Sequence, residues 1–356
     1  MKLGLLLLAG QFPGLTEGEA LAGAVDNAVA AEQAGLDSVW FAEHHFITYG
    51  VCPSAIALAA NVLGRTGRIT VGTGVCMLSN RHPVALAEET AVLDHVSGGR
   101  FHLGVGRGGP WVDLEVFGTG LARFEEGFAE SLDLLLAGLE QGRVAADGGE
   151  GRFFRFRPVP LVPRPLTQPR PPVVVAATAR PTVEVAAARG LPLLLGLHAN
   201  AAEQRDLIAR YAKVAAEHGH DPDRVEHIGT ALCHIADSRA EAQAALRVAM
   251  PAWIRTGVGG YVSVSPVPRP RRDAQDYVEH LLAIHPVGTP EQCVDRLRAT
   301  AEATGIRHVL LMVKGTGNPQ RTTETVLRLG TEVAPRLRPE AAEPGMDCPS
   351  VDRDVV

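Results

Sequence analysis

The sequence predicts an α/β protein built as one closed (β/α)8 barrel over residues 1–338, and three observations predict it. Short β-rich apolar runs alternate with Ala-, Leu-, Glu- and Arg-rich segments of helical length. The runs are almost continuously apolar, as strands of a helix-covered parallel sheet are; a sheet with one wet face would alternate. Eight such pairs follow in strict order within 356 residues, a length that suits a single barrel domain. An open doubly wound sheet is the alternative that the pattern alone leaves.

In order, the run over 3–8 precedes a helical spacing of apolar residues over 17–33. The run over 36–41 leads to a helix over 53–65, with Pro53 in its first turn. Strand 69–75 leads to helix 84–96, which His82-Pro83 caps and starts, and strand 101–106 leads to helix 123–140. The remaining pairs are 173–177 with 182–189, 191–195 with 201–218, 225–235 with 239–249, and 308–313 with 321–336. Two stretches exceed a minimal barrel. Residues 143–172, rich in Gly, Pro, Arg and Phe, read as a loop or hairpin inserted before the fifth strand. Residues 252–288 read as a long excursion between units seven and eight, and irregular segments of that length are usually functional or mobile. Residues 339–356, with Pro344, Pro349 and several acidic side chains, read as a disordered tail.

Composition narrows the partners. The net charge is −6 and Lys and Arg are spread along the chain, so no basic stripe invites nucleic acid. The apolar start MKLGLLLLAG is too short to span a bilayer and has no small-residue cleavage site after it. It reads as the first strand, and no other stretch approaches a membrane span. Five scattered cysteines, none in a C-x-x-C pair, argue against a disulfide framework, and no cluster has metal-ligand spacing. No metal and a reducing cytoplasmic compartment are therefore expected.

Chemistry in such barrels sits where strands end and βα loops begin. Those positions carry Glu43-His44-His45 after strand two, Ser79-Asn80 after strand three, and Arg107-Gly108-Gly109 with Asp113 after strand four. Thr178-Ala179-Arg180-Pro181-Thr182 follows strand five, Gly196-Leu197-His198 strand six, and Lys314-Gly315-Thr316 strand eight. Loops are polar in any case, but paired histidines and a strand-end arginine are less ordinary. Residues 178–182 open a helix, whose free N–H groups and positive dipole end suit a phosphate. Arg107 and Arg123 lie on neighbouring units and can close on the same dianion; simple capping of that helix is the alternative. His44 and His45 point to opposite sides of an extended chain, so one of them faces the pocket, either as general acid or base or as a structural group. The stretch Gly104-Val105-Gly106-Arg107-Gly108-Gly109 matches a dinucleotide fingerprint only loosely, at strand four instead of after strand one.

Several longer stretches carry a family resemblance. AEQAGLDSVWFAEHHF, ITVGTGV, HPVALAEE, LDHVSGGRFHLGVGRG, VFGT, VAAARGLP and HPVGTPEQC with ATGI run in order along the chain. Through them the chain resembles the luciferase-like flavin monooxygenases, in particular the α subunit of bacterial luciferase. The resemblance implies a cytoplasmic enzyme, dimeric through the helices near 53–65 and 84–96 and expected here as a homodimer. It implies reduced flavin mononucleotide (FMN), supplied by a separate flavin reductase, as the cofactor that oxidises an organic small molecule with oxygen. It implies His44 as the catalytic acid–base, Arg107 and Arg123 as phosphate ligands, and Thr182 with Ala179 and Arg180 in the phosphate loop. Gly74-Val75 matches a non-proline cis peptide that supports the flavin ring, with Glu43 and Gly106 also on the cofactor side. His45, Asp113, Leu197 and His198 fall on the substrate side.

The departures shape the expectation as much. Gly106 stands where the α subunit has a reactive Cys, leaving that place open, and Leu197 stands where it has a flavin-facing Trp. The excursion before residue 285 lacks the luciferase lid sequence. The reading is thus a two-component FMN-dependent monooxygenase acting on something other than the luciferase aldehyde, without efficient light emission. Two other readings stand beside it: a deazaflavin (F420)-dependent oxidoreductase, and a non-catalytic partner like the luciferase β subunit, against which the retained His44 speaks.

Overall fold

The computed structural model describes residues 1–146, 151–267 and 273–338. Its eight barrel strands are β1 (Lys2–Leu7), β2 (Ser38–Phe41), β3 (Thr70–Thr73), β4 (Phe101–Gly106), β5 (Val173–Ala177), β6 (Leu193–Leu195), β7 (Ile228–Leu232) and β8 (His308–Met312). Each pairs in parallel with its sequence neighbours, and β1 also pairs with β8, so the sheet closes. Leu5 stands opposite Val39 on one side and Leu311 on the other.

Side chains sort by strand parity. Leu3, Leu5 and Leu7 of β1 pack beneath the helices, whereas Leu6 and Leu8 belong to a second cluster inside the barrel. Trp40 of β2 fills that interior and is fully buried. Its neighbours give way to it: a Cβ at Gly72 would come within 2.5 Å of the indole, and one at Gly104 within 2.0 Å of the Thr73 carbonyl oxygen. Gly72 of ITVGTGV and Gly104 of the loose dinucleotide-like stretch therefore serve barrel packing.

The outer layer is α1 (Glu17–Gln33), α2 (Ala55–Leu63), α3 (Pro83–Ser97), α4 (Phe128–Gln141), α5 (Arg180–Ala187), α6 (Ala201–Glu217), α7 (Arg239–Gly259), α8 (Ala274–Ile284), α9 (Pro290–Thr304) and α10 (Pro319–Arg328). Four differences from the sequence expectation have local causes. Helix α2 starts behind Ser54, whose hydroxyl accepts the Ala57 N–H, so Pro53 precedes the helix. The expected helix over 123–140 is two, Gly120–Glu126 and α4, parted at Gly127, where a Cβ would stand 2.8 Å from the Arg123 carbonyl oxygen. Helix α7 runs on to Gly259 with Pro251 inside it, a residue that in sequence signals a break. The 252–288 excursion is not irregular throughout, since α8 occupies its second half and α9 follows it. The chain returns to the last unit by α10, which passes through a π-helical turn over Leu329–Val333.

The insert before β5 is an antiparallel hairpin of Arg143–Ala146 with Phe156–Pro160. The Glu130 carboxylate of α4 accepts the N–H groups of Arg152, Phe153 and Phe154, which fixes where the insert re-enters the barrel. At the other end of the mouth, Val112 N–H donates to the Val262 carbonyl and Val264 N–H to that of Pro110, each at 2.9 Å. This strap ties the loop after β4 to the segment after α7. The expected tail over 339–356 and the Pro- and Arg-rich cluster around Arg269–Arg272 lie outside the described residues.

Candidate active site

A cavity of about 340 Å3 opens at the C-terminal rim, a volume in the range of small-molecule sites. Leu6, Leu8, Ala42 and Gly74-Val75 give it an apolar base, and Glu43, His44, His45, Asp113, Leu197 and three aromatic rings surround it. Two other hollows, about 290 Å3 beside α6 and α9 and about 440 Å3 at the opposite end of the barrel, contain none of the catalytic, cofactor or substrate residues expected from the sequence. Catalysis in this architecture belongs to the strand C-termini, which selects the first cavity.

The Gly74–Val75 peptide bond is cis. Val75 lies against Gly106, where a Cβ would meet its Cγ2 at 2.8 Å. Gly106 is buried, so the open place expected there is already filled by Val75.

The Glu43 carboxylate at the cavity wall is taken up by protein donors. Its side chain is wholly buried, with Oε2 accepting from Arg81 Nη2 at 2.9 Å and from the Ala55 N–H at 3.3 Å, and Oε1 from the Met77 N–H at 3.3 Å. Burial works to raise its pKa, but His45 and Arg81 outweigh burial and hold it below the ordinary carboxylate value. His45 Nε2 is 3.6 Å from Glu43 Oε1, too long for a hydrogen bond, and its ring meets Phe117 edge-on. His44 N–H donates to the Cys52 carbonyl, and its ring meets Tyr49 edge-on at 5.2 Å. Burial lowers its pKa to about 4, only partly opposed by Glu43, so the ring is neutral at ordinary pH. Nδ1 is buried without a partner beside Gly50, where a Cβ would come within 2.7 Å of it. A bare lone pair is cheaper to bury there than an N–H, which favours the tautomer with the proton on Nε2. Both histidines line the cavity, where one had been expected.

The cations gather beside it. The Arg107 guanidinium lies 4.5 Å from the Phe124 ring centroid, and Arg123 lies 4.7 Å from that of Phe154. Arg123 Nη2 donates to the carbonyls of Leu78 and Arg81, Nε is buried without a partner, and no carboxylate stands within ion-pair distance among the described residues. Burial lowers its pKa. A half-buried guanidinium without a counter-ion suits an anion. On the next unit, α5 starts behind Ala179 with no side-chain cap, unlike α1, α2 and α6, capped by Thr16, Ser54 and Asn200. Thr182 is buried in its first turn, while Arg180 is exposed. These features fit the phosphate of a flavin mononucleotide, with the apolar base beside them fitting its ring.

On the remaining wall, Asn80 Nδ2 donates to Asp113 Oδ2 at 2.6 Å, and Asp113 Oδ1 is buried without a partner. Leu197 reaches the cavity, and its carbonyl accepts from His285 Nε2 at 2.6 Å. His198 is not part of the lining; its carbonyl accepts from His280 of α8. Sequence reasoning missed Tyr49, Trp111 and Tyr261, which arrive from three separate segments. Lys314, named at the end of strand eight but given no role there, has its Nζ buried without a partner just beyond β8. Among the described residues no His, Cys, Asp and Glu cluster could hold a metal, and no helix is long and apolar enough to cross a membrane.

Comparison with known proteins bears on the family and the fold. The family model described as luciferase-like monooxygenase matches residues 1–308. An alkanal monooxygenase alpha chain from the Kryptophanaron alfredi symbiont is 29% identical over 355 residues, covering 95% of this chain and 99% of its own. The crystal structure of monooxygenase RslO1 from Streptomyces bottropensis superposes with a TM-score of 0.82 at 23% identity, over 95% of this chain and 100% of that one. The oxygenating constituent of 3,6-diketocamphane monooxygenase from Pseudomonas putida, solved with FMN, gives 0.74 at 21% identity, over 94% and 98%.

Proposed function

This chain belongs to the luciferase-like monooxygenase family, and from that premise we propose that it is a two-component monooxygenase that oxidises an organic small molecule with oxygen and reduced FMN. Bound reduced flavin supplies the electrons that activate oxygen. The observation that carries the reading is one rim that joins a neutral, enclosed His44 to Arg123, a half-buried cation with no carboxylate within ion-pair distance among the described residues. In it, Arg107, Arg123 and the uncapped start of α5 with Thr182 hold the phosphate. Leu6, Leu8 and Gly74-Val75 bed the ring and keep water from it. His44 holds a proton on Nε2, facing the cavity, and exchanges it with the reacting oxygen or the substrate. Reduced FMN comes from a separate flavin reductase. The chain works in the cytoplasm, in keeping with its buried thiols Cys52, Cys76, Cys233 and Cys293. It pairs as a homodimer through α2 and α3, where Val92 and Val96 are exposed.

The test is rapid mixing of protein-bound, photoreduced FMN with oxygenated buffer. Re-oxidation in two or more resolved phases is expected; a single phase at the rate of free FMN refutes the reading. Titration with both cofactors sets it against a deazaflavin oxidoreductase, which tight F420 binding without FMN binding would establish instead. Oxygenation by the purified chain alone separates it from a non-catalytic partner subunit.

A further inference from the structure

The outer wall of the cavity is aromatic in a chain that is poor in aromatics. Phe, Trp and Tyr make up 5% of the residues, with three Trp and four Tyr in all. Yet Tyr49, Trp111 and Tyr261 all line this one cavity. Trp111 and Tyr261 come from segments far apart in sequence and stack with centroids 4.5 Å apart and 28° between their planes. The backbone strap of residues 110–112 with 262–264 holds the pair together, so the stack does not depend on ring contact alone. Gly109 makes room for it, since a Cβ there would stand 2.1 Å from Trp111 Nε1. Tyr49 is braced from behind by Trp253, parallel to it within 13° at 4.5 Å, and Trp253 by Phe12 in the same manner. Rings fixed in this way offer flat π faces at little entropic cost.

One hydrogen-bond acceptor stands among them. Asp113 is 3% exposed and lines the cavity. Asn80 satisfies its Oδ2, whereas Oδ1 is buried with no donor. A buried carboxylate oxygen left bare is costly, and a ligand that brings an O–H or N–H removes that cost. Burial and the negative charge of Asp113 push the Tyr261 hydroxyl up, so it stays protonated at the edge of the same space.

We propose that the organic substrate of this cavity is a planar aromatic ring bearing a hydroxyl or amino donor, with its face on the Trp111–Tyr261 wall and its donor on Asp113 Oδ1. A linear aldehyde has neither the π face nor the donor. The proposal rests on the monooxygenase reading for what happens to the ring, but the recognition can be measured without turnover.

The experiment is calorimetric titration of the full chain, saturated with oxidised FMN, with 2-naphthol, 2-methoxynaphthalene and decanal. Naphthol is expected to bind at least about tenfold more tightly than its methyl ether, as a hydrogen bond to a buried carboxylate allows, and decanal more weakly than either. Asp113→Ala erases the difference between the two naphthalenes, and Trp111→Leu weakens both. Tyr261→Leu, from the other side of the strap, repeats the second result should Trp111→Leu fold poorly. Decanal binding more tightly than naphthol, or equal affinity for naphthol and its ether, overturns the proposal. So does a loss of FMN affinity in Asp113→Ala as large as the loss of naphthol, because the wall then belongs to the flavin. Selective naphthol binding with single-phase flavin re-oxidation would sink the monooxygenase reading and leave this one standing; the converse pattern would sink this one alone.

Discussion

Replacing Lys314 with Met should stabilise the protein, by an amount that depends on pH in a definite direction. Lys314 follows β8, and Gly315 next to it is pressed against Leu232, Leu246 and Met250. Its Nζ is buried without a hydrogen-bond partner, and burial lowers its pKa from 10.5 to about 8. The unfolded chain therefore holds this proton more tightly than the folded one. Below about pH 8 both states are charged, and the folded state bears the whole cost of desolvation. Between about pH 8 and 10.5 the folded state sheds the proton first and the cost declines; above 10.5 it is gone. A difference of this size corresponds to roughly 3 kcal/mol. Met keeps the length of the stem and carries no charge, so Lys314→Met should gain up to about 3 kcal/mol at pH 7, or ~4 °C in Tm for a domain of this size. Urea unfolding of both proteins at pH 7 and pH 10.5 measures it, the gain being large at the first and nearly absent at the second. A variant no more stable at pH 7, or a gain that ignores pH, would show that the ammonium finds an anion or water in solution and that the argument from burial is wrong.

Three further outcomes test the site. His44→Ala should bind FMN almost as the parent does and lose roughly 10²–10⁴-fold in product formation, the usual worth of a positioned proton donor; an unchanged rate removes His44 from the mechanism. Because His44 has its pKa lowered to about 4, its protonation costs stability only as pH falls from about 6.5 through 4. A rate inflection near pH 6.5 that vanished in His44→Ala would therefore contradict the buried ring. Arg107→Ala should weaken FMN by about 10- to 100-fold and riboflavin far less, as fluorescence titration of both would show; equal losses would place the phosphate elsewhere. Glu43→Gln leaves Arg81 without its buried partner, and denaturant unfolding should show a loss of about 3–5 kcal/mol. A loss under about 1 kcal/mol would mean that this ion pair is hydrated.

The barrel was legible because its signal is repeated: each apolar run from Leu3 to Met312 states the same pattern, and an error in one does not disturb the rest. Individual boundaries were less so. Pro251 reads as a helix end in sequence, whereas α7 carries it, because its neighbours Met250 and Trp253 are buried inside the barrel mouth. The strand-end residues from His44 to Thr182 could be named, since βα loops follow directly from the alternation. Their orientations could not. Nothing local says that Glu43 pairs with Arg81 or that Val75 covers Gly106. The aromatic wall was invisible for a different reason. Tyr49, Trp111 and Tyr261 share no spacing and meet only in the tertiary fold, two through the strap and Tyr49 through Trp253, so no periodicity can announce them.

That strap has a consequence for how such a protein diverges. Both of its hydrogen bonds run from backbone N–H to backbone carbonyl, between residues 110–112 and 262–264. Closure of the mouth is thus written in main-chain geometry, and the exposed side chains Val262 and Ser263 take no part in it. Mutation can exchange the side chains facing a new ligand while the loop that presents them stays docked. In such an arrangement selectivity can drift quickly over generations, and the enclosure that shelters the chemistry is inherited unchanged.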